Sequence, residues 1–359
     1  MPHGKERTLK LQWPFGRTLL LAAAVLIGMV AAAEFLLRRD FLQSRLPYPS
    51  FGNSNHQLDI KIHLLDKLVE RQGPPDCLFL GNSTVQAGID PEAFSAAYRE
   101  ITGKTLRCFN FGVVGMAPDA GATLVRILNR RYRPRMVVWG IIPYDLKARG
   151  KNREAELESG NWVRYQMGQG DFSGWLTDAS CLYRYYLRFR LWMDFPGINR
   201  KVEASERHWS ATGFNSERTG SSITDPEQRG REARNLETLR DFKVDQRILS
   251  MMHDAFQPTP GVLFVLAEMP LHPNYSARNE EEEKTYRGHL SRISDFAGRK
   301  RIPFIRRDPR DSYMDGHWRN ALHLNYRGAL RFSRWLGERI GVSVREGLIP
   351  DPRRRGQRP

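Results

Sequence analysis

Ser83 follows a short apolar run, Leu78-Phe79-Leu80-Gly81-Asn82, and about 240 residues later His323 stands in Asn320-Ala321-Leu322-His323-Leu324-Asn325. A serine hydroxyl is a poor nucleophile at neutral pH until an imidazole takes its proton, so the pair says more than either residue alone. Gly81 permits a tight exit from a strand, and Asn82 tolerates unusual dihedrals. Thr84-Val85-Gln86-Ala87 then opens a helix whose N-terminal amides would face a developing oxyanion. If Ser83 attacks, His323 is the base, and a third group must hold the imidazole in the right tautomer. Asp315, eight residues before His323, is the preferred source if its loop folds back, and Asn320 competes closely through an uncharged side-chain oxygen. His317 is the second candidate base. The plainer reading of Ser83 is a helix cap, a role serine commonly fills.

Gly81-Asn82-Ser83 resembles the first sequence block of the SGNH (GDSL-like) hydrolase superfamily, normally Gly-Asp-Ser, which carries the nucleophile. Asn110-Phe111-Gly112-Val113-Val114-Gly115 resembles the second block, Asn-x-Gly-x-x-Gly, and implies Gly115 as a backbone oxyanion donor beside the Ser83 amide. Asn320 to His323 stands at the last block, Asp-x-x-His, with Asn320 in place of the orienting aspartate. Val137-Val138-Trp139-Gly140, followed by Pro143-Tyr144-Asp145, falls where the third block, Gly-x-Asn-Asp, belongs and lacks its oxyanion asparagine. The resemblance covers roughly Pro75 to Ile340. It implies a three-layer α/β/α, flavodoxin-like fold with a parallel five-stranded sheet, and a serine O-acyl (acetyl) esterase or acyltransferase. Membrane-anchored SGNH-like proteins of cell-wall D-alanylation and exopolysaccharide acetylation are similar in layout. They imply a cell-envelope polysaccharide as substrate and a membrane-bound acyltransferase as partner. Loss of the orienting aspartate and the third-block asparagine favours the alternative, a catalytically impaired domain that binds a glycan or scaffolds a complex.

Five strand-like runs must position these residues: Cys77 to Leu80, Leu106 to Phe111, Met136 to Ile142, Val262 to Leu266 and Ile302 to Ile305. Alternation with helical stretches indicates a parallel sheet, and near-continuous apolarity indicates strands covered on both faces. Ligands of such sheets bind at the strands' carboxyl ends, where Ser83, Gly115, Asp145 and His272 all fall. Asn82, Asp145 and His272 are therefore expected as substrate contacts, with a helix cap as the alternative for Asp145. Asn325 and Gly328 are expected to cap and start a last helix over Gly328 to Ile340.

The chain divides at sequence level into a basic N-terminus (1–17), an apolar segment (18–37), a linker with a leading helix over Leu58 to Val69 (38–74), the main domain (75–345) and a basic, disordered tail (346–359). An insertion at about 150–258 is too long for an ordinary connection. Within it, Cys181 to Trp192 is expected as a helix that packs its aromatics on the core and snorkels Arg184, Arg188 and Arg190. A membrane-surface helix and a glycan-binding wall are the other readings. Glu203 to Arg234 reads as a mobile loop.

Lys5, Arg7, Lys10 and Arg17 precede the uninterrupted apolar run Thr18 to Ala33. Thr18 to Leu37 has the ~20 residues that span a bilayer, and an uncleaved inner-membrane anchor with an extracytoplasmic, periplasmic domain is favoured. Ala31-Ala32-Ala33 leaves signal cleavage and secretion as the competitor. A formal net charge of +16 suits anionic or membrane-adjacent partners such as acidic glycans. No nucleic-acid motif accompanies that charge, so a nucleic-acid partner is not expected. Three cysteines without a Cys-x-x-Cys, and the absence of G-x-G-x-x-G or a P-loop, argue for no metal and no cofactor. Cys77 and Cys108 read as small buried hydrophobes, with a disulfide between them as the alternative.

Overall fold

The computed structural model describes residues 13–53, 55–147, 157, 159–194, 208–215, 245–255, 257, 261–272, 280–307, 313 and 315–353. Its centre is a fully parallel sheet of β1 (Cys77–Gly81), β2 (Cys108–Gly112), β3 (Met136–Ile141), β4 (Leu263–Glu268) and β5 (Phe304–Ile305), in the order β2-β1-β3-β4-β5. This is the expected α/β architecture, with the strand order of flavodoxin-like folds. The strand ends shift by a few residues from the sequence reading; β2 begins at Cys108, and the amides of Leu106 and Arg107 before it donate to Ser95 Oγ and Asp76 Oδ2.

Because successive strand residues point to opposite faces, the apolar runs feed two separate cores. Leu78, Leu80, Phe109, Phe111, Val137 and Trp139 face α3 (His56–Gln72) and α6 (Pro118–Tyr132). Phe79, Met136, Val138 and Val265 face α5 (Pro91–Thr102) and the last helix. That helix runs over Tyr326–Arg345, longer than expected, since Asn325 caps it by accepting from the Gly328 amide at 3.1 Å.

α3 begins two residues before the expected start because Asn55 caps it. It is buried almost all round and carries Asp59, Lys61 and His63 into the interior. Burial pushes Asp59 up to about 7 against the hydrogen bonds of Ser50 and Asn53, and pushes His63 down to about 3. Lys61, held well below the usual lysine range by burial, donates to the carbonyls of Asn110 and Gly213. Residues 208–215 thereby close the outer edge of β2, where the Asn110 amide donates to Thr212 O at 2.8 Å.

Between β3 and β4 the described elements are α7 (Asn161–Gln166), α8 (Phe172–Ala179), α9 (Cys181–Asp194) and α10 (Gln246–Ala255). α9 departs in part from its expected orientation: Arg190 is exposed and Tyr183, Tyr185 and Trp192 are half-buried as expected, but one arginine and three apolar side chains change places. Arg188 is 4% exposed, whereas Tyr186, Phe189 and Met193 are 50%, 55% and 62% exposed. The inward arginines have partners: Arg184 donates to the Thr177 and Asp178 carbonyls and lies 4.3 Å above the Phe51 ring. Most of the loop expected over Glu203 to Arg234 lies outside the described residues.

Cys77 and Cys108, register partners on β1 and β2, are free, buried thiols as expected, and so is Cys181; the alternative of a disulfide between them is not formed. One further expectation is corrected. The start of the expected tail is fixed, since Asp351 pairs with Lys104 and Arg353 with the buried Asp76; residues 354–359 lie outside the described set. At the other end α1 (Trp13–Leu37) contains Gly16–Leu37, a stretch of mean hydropathy 2.4, none of it buried, that is long and apolar enough to cross a membrane. A short α2 (Asp40–Gln43) follows it.

Candidate active site

The site lies where the strand order switches, at the carboxyl end of β1 between β2 and β3. A helix, α4 (Ser83–Gly88), starts directly on Ser83. It sits unusually close to the strand ends: a Cβ on Gly112 would fall 2.4 Å from the Gln86 amide, and one on Gly81 or Gly140 would fall 2.3 Å from Val85 Cγ2. Only glycine at those positions allows this approach. Asn110, fully buried in β2, locks α4 from below by donating to Val85 O at 2.8 Å and Ile89 O at 2.6 Å while accepting from Gly112 N at 2.8 Å.

Ser83 Oγ and His323 Nε2 are 2.8 Å apart, and His323 Nδ1 is 2.9 Å from Asn320 Oδ1. The same Oδ1 accepts from the Leu322 amide at 3.0 Å and the His323 amide at 2.8 Å. Two backbone N–H donors fix which end of the Asn320 amide faces inward, because an NH2 group cannot accept from them. Oδ1 therefore requires a proton on Nδ1, which leaves the Nε2 lone pair for the Ser83 hydroxyl. That is the tautomer a general base needs. Burial, with the nearby Arg319 guanidinium, lowers His323 to about 4. The imidazole is neutral at pH 7 and a weak base, because burial and the Arg319 charge oppose its cation and the uncharged Asn320 does not offset them.

The loop carrying His323 is a tight hairpin in which Trp318 and Leu324 form an antiparallel bridge. His272, expected as a substrate contact, supports this hairpin: its amide donates to Ala321 O at 3.1 Å and its ring packs edge-on against Trp318. His317 lies in a 3-10 turn (Asp315–His317) whose carbonyl accepts from the Asn325 amide, with its ring on Tyr313. Asp315 is placed in the same turn; its side chain lies outside the described residues.

Asn82 caps α4 through Thr84 N at 2.8 Å and donates to Asp145 Oδ1 at 2.7 Å. Asp145, buried in the turn after β3, accepts through Oδ2 from the Ile142 amide at 2.9 Å. These two expected contacts thus brace β1 against β3. Gly115 stands exposed in the loop after β2, with a φ of 74°. Val113 N donates to Gly81 O at 3.0 Å, which moors that loop beside the Ser83 turn. The Ser83 amide, first in α4, is one of the donors a helix leaves without an intrahelical partner.

Sequence reasoning quoted Asn110 within its block but gave it no role; a polar residue inside an apolar strand was the signal. Gln57 and Gln86 were missed. Gln57 Oε1 accepts from Gln86 Nε2 at 3.2 Å and from Val114 N at 3.1 Å, which links α3, α4 and the Gly115 loop. Nothing in their spacing announces this.

No family model matches the chain, and no curated protein matches it. Among solved structures it is similar to a gut microbial diltiazem-metabolizing enzyme, with 10% identity and a TM-score of 0.36 over 74% of this chain and 46% of that one. It is also similar to the inhibitor-bound form of an M. smegmatis aryl esterase, with 12% identity and a TM-score of 0.32 over 75% of this chain and 98% of that one. The chain thus spans less than half the length of the first of these proteins.

Proposed function

We propose that the protein is a membrane-anchored serine O-acyl esterase or acyltransferase that acts through an acyl-enzyme on Ser83, with a cell-envelope polysaccharide or related anionic polymer as substrate. The observation that carries this reading is the continuous chain Ser83 Oγ, His323 Nε2, His323 Nδ1, Asn320 Oδ1, with the tautomer fixed by the Asn320 turn. Ser83 Oγ attacks the acyl carbonyl while His323 Nε2 takes its proton, and the oxyanion faces the amides of Ser83 and Gly115. Collapse expels the alcohol with the proton returned by His323. A water or an acceptor hydroxyl then repeats the cycle, giving hydrolysis or transfer. No cofactor enters these steps. The apolar α1 supports the anchor, the basic residues Lys5, Arg7, Lys10 and Arg17 before it support a domain on the extracytoplasmic side, and the net charge of +16 supports an anionic, membrane-adjacent glycan. A membrane-bound acyltransferase that delivers the acyl group fits the same layout.

One observation favours a second reading, a glycan-binding or scaffold domain of low activity: His323 is lowered to about 4 and has an amide where a carboxylate would stabilise its cation. Mass-spectrometric mapping of a fluorophosphonate adduct on the folded full-length protein separates the two. The expected result is an adduct on Ser83 that disappears in His323→Ala. A folded protein that takes no adduct on Ser83 overturns the esterase reading.

A further inference from the structure

We infer that the helical hairpin α8–α9 lies on the bilayer surface as a second membrane contact beside α1, its aromatic stripe set into the boundary between headgroups and acyl chains. The inference rests on reading α1 as an uncleaved membrane anchor.

The stripe is the face that α9 turns away from the protein. Tyr186, Phe189 and Met193 recur at helical spacing and all three are more than half or about half exposed, while Arg188 on the opposite face is buried. α8 continues the surface with Phe172 and Trp175, both exposed and stacked with ring centroids 5.3 Å apart. A helix of a water-soluble protein shows the reverse arrangement, with aromatics inward and arginines outward. Exposed contiguous apolar surface of this kind marks a partner or a membrane.

The choice of a lipid partner comes from where the hairpin is fastened. Glu34, in the last turns of α1, accepts from the amides of Cys181 and Leu182 at 2.8 Å each and from Ser180 Oγ at 2.9 Å, so its carboxylate caps the start of α9. Arg38 donates to Ala179 O at 2.7 Å. The α8–α9 turn is therefore within hydrogen-bond reach of the end of the apolar span. If Gly16–Leu37 crosses a bilayer, that turn stands at headgroup level, and its depth is not free to vary. Phe35, Leu36 and Phe41 are exposed at the same level, beside the exposed guanidinium of Arg39 and those of Arg38 and Arg190, which pair with Glu34 and Asp194. Aromatic rings with flanking arginines are the composition of interfacial helices. The inner face of α9 packs on the protein, where Leu187 lies near Gly52, ahead of α3, and Arg184 faces Asp66 of α3 at 3.9 Å.

The test uses the full-length protein in vesicles of phosphatidylcholine and phosphatidylglycerol. Single cysteines replace Phe172, Tyr186, Phe189 or Met193 and carry an environment-sensitive fluorophore; the unsubstituted protein, whose own cysteines are buried, gives the background. Lipids with a shallow or a deep spin-label quencher and aqueous iodide report depth, with Gly28→Cys on α1 and Arg99→Cys on α5 as references. Shallow quenching of the hairpin probes several-fold stronger than deep quenching, protection from iodide, and deep quenching at Gly28 are expected, for a helix buried roughly 5–10 Å into the interface. Free access of iodide to the hairpin probes, while Gly28 remains deep, overturns the inference and leaves the anchor intact. So does protection from both iodide and lipid, which would assign the stripe to a protein or a second copy. Loss of lipid quenching at Gly28 as well would bring down the anchor reading together with this one.

Discussion

The two halves of the site are held in opposite ways. The Ser83 half is fixed from outside itself: three strand glycines admit α4, and the buried Asn110 ties it down from a neighbouring strand. The His323 half is fixed from within, since Asn320 Oδ1 holds two amides of its own turn and the imidazole at once. The position of Ser83, the proposed nucleophile, is thus a property of the whole fold, whereas the position and tautomer of His323, the proposed base, depend on one amide. A single substitution can therefore disable the base without unfolding the protein, but the nucleophile can be displaced only by damaging the packing.

The largest effect comes from removing either reacting group. Ser83→Ala and His323→Ala should each lower turnover of an activated acyl ester by about 10³-fold or more, with an unchanged melting temperature. Loss of the fold along with activity in Ser83→Ala would show that the two halves are not as separable as described. Asn320 is the sharper instrument. Asn320→Ala removes the turn and the tautomer lock and should cost on the order of 10²-fold. Asn320→Asp keeps acceptors for the same three N–H groups and adds the charge that stabilises an imidazolium, so activity at pH 7 should rise by about tenfold or more. A slower Asp variant would contradict the account of Asn320 as a structurally correct but electrostatically weak partner.

The pH dependence follows from the same site. His323 is neutral above about 4, so the acid limb of the rate profile should fall near pH 4 and not near the ordinary histidine value. Asn320→Asp should move that limb upward. The lowered value also carries a stability consequence. The unfolded chain binds a proton on this histidine near 6.5 and the folded chain does not until about 4, so stability contributed by the neutral ring is present above 6.5 and is lost on acidification through that window. His63, lowered to about 3, acts in the same direction. Asp59, raised to about 7, opposes them, because the folded state there keeps a proton that the unfolded state releases. His56 and His289, also lowered by burial, join the two histidines, and Glu268, raised by burial, joins Asp59, so denaturant titrations between pH 4 and 6.5 should show a net loss of stability toward acid.

Much of the Ser83 half was legible in the sequence because it is written in short apolar runs and glycines, which have few structural solutions. β1, the turn at Gly81 and the helix on Ser83 all follow from residues within ten positions of one another. His323 was legible as a partner only through the spacing of its block. Which group would orient it was not, since Asp315 and Asn320 stand eight and three residues before His323 and only the hairpin geometry puts Asn320 Oδ1 against Nδ1. The orientation of α9 is only partly legible for a similar reason. Alternating arginines and aromatics give two faces, but the pattern does not say which one meets the protein until Asp66 and the Thr177 and Asp178 carbonyls are in place to receive Arg184.

Asn110→Ala tests the outer bracing of the nucleophile. It leaves the carbonyls of Val85 and Ile89 and the Gly112 amide without their buried partner and should destabilise the fold by about 2–4 kcal/mol, measured by denaturant unfolding. Activity per folded molecule should also fall, because α4 loses its lower anchor. A variant as stable as the parent would mean that the glycine contacts alone hold α4.

The smallest effect sits between the two halves, at Gln57. Its Oε1 joins Gln86 on α4 to Val114 in the Gly115 loop, so under the proposed mechanism it would position the oxyanion donors without touching the reacting atoms. Gln57→Ala should lower kcat by about tenfold, less than the loss of a direct oxyanion donor, while KM and the melting temperature stay nearly constant. Gln57→Glu retains an acceptor for both donors and should recover most of the rate. A purely structural role would leave kcat unmoved in both variants, and a substrate-binding role would appear in KM. Either outcome would place the tuning of the oxyanion loop elsewhere, and the loop would then join the His323 hairpin as a part of the site that holds its own shape.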